Sequence, residues 1–150
     1  WLGGHPQWPG GDPAVWMRAA GGRPGDALEL ATVGAKLEWK ALPRAIAAGN
    51  AMLPLGQVPA ALLVSILQKV CHDLLARAVG AAPRFFEAAD LPEVEAAGAV
   101  GRLTAWFRAL SQVARTAEHP FNPGLMLEDL AAQAHSTLNC PKLGRSNARP

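Results

Sequence analysis

The sequence predicts an all-α protein in which two or three short helices precede a bundle of three long ones. Apolar residues recur with the 3.6-residue period of an amphipathic helix in three long segments, and no segment shows the two-residue alternation of a half-buried strand. The composition is rich in alanine and leucine and lacks tyrosine, which also favours helices. Half of the 150 residues are hydrophobic, enough for a buried core.

The first two predicted helices are short and have clear start signals. Asp12 is an N-cap residue and Pro13 follows it in the first turn, which predicts a helix that runs to Ala20. The glycine pair 21–22 should stop this helix. A second helix is expected over about residues 25–33, where the next glycine ends it.

The third predicted helix, over about residues 35–48, contains Pro43, which should kink or split it. Residues 49–57 (GNAMLPLGQ) then break the helical pattern, and we interpret them as a boundary. The chain is thereby divided into an N-terminal part, a main helical domain and a polar tail: 1–49, 50–138 and 139–150.

Three long segments make up the main domain. The first, over 59–79, has an apolar arc of roughly 140°, broad enough to contact neighbours on more than one side. The second, over 99–117, is the cleanest amphipathic helix. The third, over 123–138, begins with Asn122 as N-cap and Pro123 in the first turn.

The bulk properties exclude several classes of protein. A formal net charge of +2 is too small to imply a nucleic-acid or membrane partner, and no apolar run is long enough to span a membrane. No signal peptide is visible, and the two cysteines, Cys71 and Cys140, fit reduced thiols, so we expect a cytoplasmic protein. The chain begins with Trp1 rather than methionine, so we expect that the natural protein has residues before it.

No motif in the sequence carries catalytic chemistry. The phosphate-binding patterns GxxxxGK[ST] and GxGxxG are absent, as are CxxC, HxxxH and HExxH, the usual spacings of metal ligands. Cys71 and His72 are adjacent on a predicted helix, so their side chains point about 100° apart and cannot act as nucleophile and base. We therefore expect no catalytic residue, no metal, no cofactor and no small-molecule substrate.

Asp73 and Arg77 lie four residues apart on the first long helix and can pair. Both continue the apolar stripe of that helix. One interpretation is that the helix end projects from the core and the pair is solvated. The other is a buried or interfacial ion pair that fixes the orientation of a neighbour.

Leu125 is a candidate interface residue on the last helix. It lies about 100° from Met126 and off the inward stripe of the helix, so it faces either a partner or a loop. An isolated exposed leucine is the alternative, because such residues are common on protein surfaces. Three arginines of the preceding helix form a loose basic face, which we expect to be solvated: Arg102, Arg108 and Arg115.

Parts of the sequence resemble a known family. The stretch AAGGRPGDALEL (19–30) resembles the lid-domain helix of clamp-loader AAA+ proteins. Segments 62–86 and 102–134 resemble the C-terminal collar domain of the delta-prime subunits of bacterial DNA polymerase III. The pieces D-L-L, G-x-x-P-R-F and N-P-x-L-x-L-E-D-L carry this resemblance together with the helix spacing. It covers about residues 12–138 and is strongest from residue 60 onward.

The resemblance implies a non-hydrolysing subunit of the pentameric clamp loader, which opens the sliding clamp and places it on primed DNA. Residues 1–49 would be the end of the lid and a connecting helix, and 50–138 the collar that holds the pentamer together. The implied partners are the delta and gamma/tau subunits, bound through the collar. Nucleic acid would be contacted only through the complex, and no membrane is involved.

One departure from the family pattern distinguishes its members. The ATP-hydrolysing subunits place an arginine directly before the Asp-Ala-Leu of the lid helix, where it reaches an ATP phosphate, but this chain has Gly25 there. The missing phosphate contact favours a delta-prime subunit. Two alternatives stay open, the lid and collar of an ATP-hydrolysing subunit and a stand-alone helical domain that binds a regulatory ligand.

Overall fold

Six α-helices can be delimited in the part of the chain that the structure describes. The computed structural model of the chain describes residues 1–50, 55–119 and 121–139. No strand occurs within these ranges, so the predicted all-α class is confirmed. The helices are, in chain order, α1 (Pro13–Ala19), α2 (Pro24–Val33), α3 (Leu42–Ala48), α4 (Ala60–Ala78), α5 (Ala99–Ala114) and α6 (Pro123–Leu138).

The first helix begins and ends as its sequence signals predict. The Asp12 side chain accepts a hydrogen bond from the backbone N–H of Ala14 at 2.9 Å, which satisfies one of the free amides of the first turn. At the other end the backbone N–H of Gly22 bonds to the carbonyl of Met17 at 2.8 Å. Gly21 and Gly22 both have positive φ, a conformation that glycine adopts without strain. The helix ends one residue before its predicted end.

The third helix is shorter than the sequence predicted. The prediction covered about 35–48, but α3 begins only at Leu42, after a 3-10 turn over Trp39–Ala41. Pro43 lies in the first turn of α3, where its missing N–H has no intrahelical partner to lose. The proline therefore starts this helix instead of splitting a longer one.

The long helices agree with their predicted positions to within a few residues. Helix α4 falls inside the predicted 59–79, and α6 has the predicted bounds. Helix α5 ends three residues before the predicted 117. A short 3-10 helix over Ala88–Asp90 lies in the connection between α4 and α5.

The core is one continuous cluster of buried side chains. Helices α4 and α5 form the main packed pair, and α6 packs on α5 and on α3. Trp16 and Trp39 from the N-terminal part belong to the same cluster as Ile66, Leu103 and Leu130 of the bundle. Residues 1–49 therefore pack on the bundle directly. The predicted division into an N-terminal part, a main domain and a tail stays a prediction. Residues 51–54 of the first boundary and 140–150 of the tail lie outside the described residues.

Candidate functional site

Asp73 is a completely buried carboxylate that holds a loop of its own chain. Its two oxygens accept hydrogen bonds from the backbone N–H groups of Arg84, Phe85 and Phe86 at 2.8, 2.7 and 2.8 Å. Nδ1 of His72 lies 2.9 Å from Oδ1. A buried carboxylate is stable only when several donors satisfy it, and this one has four. We call residues 83–91, which include these three amides, the Asp73 loop.

The predicted ion pair between Asp73 and Arg77 is not formed. The spacing allows it, but the Asp73 oxygens are occupied by backbone donors of the loop. Arg77 instead bonds through Nη2 to Oε2 of Glu93 at 2.8 Å, in the connection that leads to α5. Glu93 is exposed, so this is a surface ion pair of small energetic value. A contact between Arg77 and a partner subunit stays a prediction.

Aromatic side chains attach the Asp73 loop to the N-terminal part. The rings of Trp39 and Phe86 are stacked, with centroids 4.7 Å apart and an interplanar angle of 5°. Trp39 also donates its indole N–H to the carbonyl of Phe85 at 3.4 Å. The ring of Trp16 packs against that of Trp39, with centroids 5.7 Å apart. Both Trp39 and Phe86 are buried, so the Phe86 side chain anchors the loop in the core.

Two arginines of the N-terminal part add polar contacts to the same loop. Arg18 forms an ion pair with Glu87 at 3.0 Å and donates to the carbonyl of Pro83 at 3.3 Å. Arg44 donates to the carbonyl of Ala89. The loop is therefore held by α4 from one side and by the N-terminal helices from the other.

The start of α6 exposes two large apolar side chains. Leu125 is 63% exposed, as its position off the inward stripe predicted, and Phe121 is fully exposed. The Asn122 side chain accepts the backbone N–H of Leu125 at 3.0 Å, which confirms the predicted cap. We call Phe121 and Leu125 the α6-start patch.

Sequence reasoning missed Phe121, although a signal for it exists. An apolar residue directly before an N-cap usually packs on the fourth residue of the helix, here Met126. Phe121 makes no such contact with the helix, because its side chain is fully exposed. An apolar N′ residue that does not pack locally is free to contact another molecule.

Other exposed apolar side chains lie elsewhere on the surface. Val79, 66% exposed, directly follows the last residue of α4. Leu63, near the start of α4, lines an apolar pocket together with Leu127 and Leu130 of α6. Val79 is sixteen residues from Leu63, about 24 Å along a helix. It therefore lies at the opposite end of the bundle from the α6 start.

The described residues contain no cluster of three or more histidine, cysteine or acidic side chains that could hold a metal ion. Burial raises the pKa of the Cys71 thiol to about 12, which keeps it protonated and unreactive. Cys140 lies outside the described residues. No helix among those described is long and apolar enough to cross a bilayer.

Comparisons of the chain with protein-family models, with curated proteins and with solved structures found no match. The resemblance of segments 62–86 and 102–134 to a clamp-loader collar therefore stays a prediction from their motifs.

Proposed function

We propose that this chain is the lid end and collar of a non-hydrolysing, delta-prime-like subunit of a bacterial DNA polymerase III clamp loader. Its task is to bind the collars of the delta and gamma/tau subunits and so hold the pentamer together for clamp loading. The observation that carries the proposal is the exposed α6-start patch. Leu125 of this patch belongs to the N-P-x-L-x-L-E-D-L segment, one of the motifs on which the resemblance rests.

The patch has the physical properties of an association site. Burying a leucine or phenylalanine side chain contributes roughly 1.5–3 kcal/mol, and a few such residues usually dominate the energy of an interface. The Asn122 cap fixes the first turn of α6, so Leu125 is presented on an ordered helix. An ordered side chain loses less conformational entropy on binding than a flexible one.

A non-hydrolysing subunit is favoured over an ATP-hydrolysing one by the start of α2. Gly25 stands where the ATP-hydrolysing subunits have arginine. The nearest arginine, Arg23, is engaged within the chain, since its Nε lies 2.7 Å from a carboxylate oxygen of Asp26 and 3.5 Å from the carbonyl of Ala20.

A stand-alone ligand-binding domain is less favoured. Such a domain needs a sizeable apolar pocket with converging polar groups. The apolar pocket between α3, α4 and α6 has a volume of about 20 Å³, and the described residues around it are aliphatic side chains and Gly49. This volume is near that of a single water molecule. The larger clefts, of about 230, 270 and 320 Å³, have mixed polar and apolar linings and are not apolar pockets.

Size-exclusion chromatography with purified collar domains of the delta and gamma/tau subunits tests the proposal. We expect the chain to co-elute with them and the variant Leu125→Ser to lose about tenfold or more in affinity, because an apolar anchor is removed. Val79→Ser is the matched control, since Val79 is equally exposed at the other end of the bundle. Failure of the unmodified chain to associate, or equal losses in the two variants, would contradict the proposal. ATP turnover by the purified chain would contradict its non-hydrolysing character.

A further inference from the structure

Three basic side chains surround the ring of Phe85 in the Asp73 loop. Lys69 Nζ lies 5.5 Å from the ring centroid, and Arg84 Cζ lies 5.6 Å from it. The His72 ring meets the Phe85 ring edge-on, with centroids 5.3 Å apart. The negative face of an aromatic ring attracts cations, which explains how one ring can gather side chains from α4 and from the loop.

Positive charge exceeds negative charge at this place. Lys69 is half-buried, and this burial together with the nearby guanidinium of Arg23 lowers the pKa of its ammonium group, while the carboxylate of Asp26 acts in the opposite direction. Lys69 has no salt bridge with the described residues, whereas Arg23 is paired with Asp26. The buried Asp73 is already satisfied by backbone amides. Two cations, Lys69 and Arg84, are therefore left without a carboxylate partner in the part of the chain that the structure describes.

The backbone of Arg84 is fixed by Asp73, and its side chain makes one hydrogen bond within the chain. Its backbone N–H is bound by Asp73 at 2.8 Å, and its guanidinium donates to the carbonyl of Gly21 at 3.4 Å. A Cβ atom at position 21 would lie 3.3 Å from two nitrogens of that guanidinium, so glycine leaves the room for this approach. A group that is already ordered binds its ligand at a smaller entropic cost.

We propose that Lys69 and Arg84 form a binding site for a small polyphosphate anion at the junction of the N-terminal part and the bundle. A guanidinium group donates two parallel hydrogen bonds to a phosphate, and an ammonium group adds a compact charge. The bound anion bridges α4 and the Asp73 loop. This site goes beyond the proposed function and does not depend on it.

A small anion fits the geometry better than a nucleic-acid strand does. Single strands bind proteins by stacking their bases on exposed aromatic rings along a basic groove. The Phe85 ring is half-buried and already carries two cations over it, so it is not an open stacking platform. The cations are grouped around one ring rather than spread along a groove.

Titration calorimetry with pyrophosphate, in magnesium-free buffer at constant ionic strength, tests the site. We expect saturable binding and a higher Tm with pyrophosphate than with chloride, because a ligand that binds only the folded state stabilises it. Lys69→Gln and Arg84→Gln should each raise the Kd about tenfold, as expected for the loss of a charge-assisted hydrogen bond. Lys36→Gln is the matched control, because it removes the same charge from an exposed position on another surface.

The ligand-free variants separate binding from folding. Without pyrophosphate, Lys69→Gln should have a Tm equal to or above that of the unmodified chain, since the burial that lowers the Lys69 pKa disfavours its charge. Where this variant does not fold, Lys69→Met replaces it. No saturable heat with pyrophosphate, or equal losses in Lys69→Gln and Lys36→Gln, would overturn the proposal. Binding of an oligothymidylate that pyrophosphate does not displace would also overturn it.

Discussion

Asp73 with its loop and the α6-start patch behave in opposite ways, although the sequence nominated both Asp73 and Leu125 as interface candidates. Asp73 is a charged residue that is completely buried and fully bonded within the chain. Leu125 is an apolar residue that is largely exposed and bonded only through its backbone. A charged side chain is usually exposed and a leucine side chain usually buried, so both residues depart from the exposure expected of their type.

The difference shows what such exceptions mean physically. A buried carboxylate is costly unless donors surround it, so its presence indicates that it organises the groups that satisfy it. An exposed cluster of large apolar side chains gains nothing from the fold, so it indicates a surface that another molecule can cover. Asp73 therefore serves the fold, and the α6-start patch is the surface on which the proposed association rests.

Replacing Asp73 should produce the largest effect. Asp73→Ala leaves three buried amides of the loop without an acceptor, and we expect the free energy of unfolding to fall by about 3–5 kcal/mol. Asp73→Asn keeps one acceptor and should cost less. Urea denaturation measures both, with Asp129→Ala on the exposed side of α6 as the control. A loss for Asp73→Ala no larger than that of the control would show that the loop does not depend on the carboxylate.

The same substitution in the two regions sharpens the comparison. Phe86→Leu removes a stacked ring from the core and should destabilise the chain by about 1–2 kcal/mol. Phe121→Leu alters a fully exposed side chain and should change stability by less than about 0.5 kcal/mol. Equal effects in thermal unfolding would contradict the assignment of one residue to the core and the other to the surface.

Removing the cap of α6 should have an intermediate effect. Asn122→Ala leaves the backbone N–H of Leu125 without its acceptor, and we expect a loss of about 1 kcal/mol. Asn122→Asp keeps an acceptor and should restore most of the stability. Chemical denaturation of the two variants measures the difference, and identical losses would argue against the cap.

The smallest effect is expected at Arg77. Arg77→Ala breaks only the surface pair with Glu93 and should cost less than about 1 kcal/mol. A double-mutant cycle between Arg77→Ala and Asp73→Ala should show little coupling, because the two side chains do not pair. A large coupling energy would contradict this and support the ion pair between Asp73 and Arg77 that the sequence spacing suggested.

Local signals were sufficient to predict most of the fold. The caps at Asp12 and Asn122 and the apolar periodicity of the long helices act within a few residues, so the bounds of α1, α4 and α6 followed from them. The third helix was predicted too long because a proline inside an apolar pattern and a proline in a first turn look alike in sequence. Only the path of the chain before Leu42 distinguishes them.

The contacts of the candidate sites could not be predicted in the same way. The three amides that donate to Asp73 come from residues eleven to thirteen positions later, in a loop without a periodic pattern. The four-residue spacing suggested Arg77 as the partner of Asp73, but in the folded chain the backbone amides of the loop bind Asp73 instead. The exposure of Leu125 was predictable because a helix fixes its direction, whereas Phe121 lies just outside the helix.

Hydrogen exchange of the chain, alone and with the delta and gamma/tau collars, tests the central claim most directly. In the free chain the amides of Arg84, Phe85 and Phe86 should exchange slowly, because Asp73 binds them. Addition of the partner collars should leave these amides unchanged and slow the exchange of amides in residues 121–128. Protection of the Asp73 loop without any at the start of α6, or no change anywhere with the collars in excess, would contradict the account.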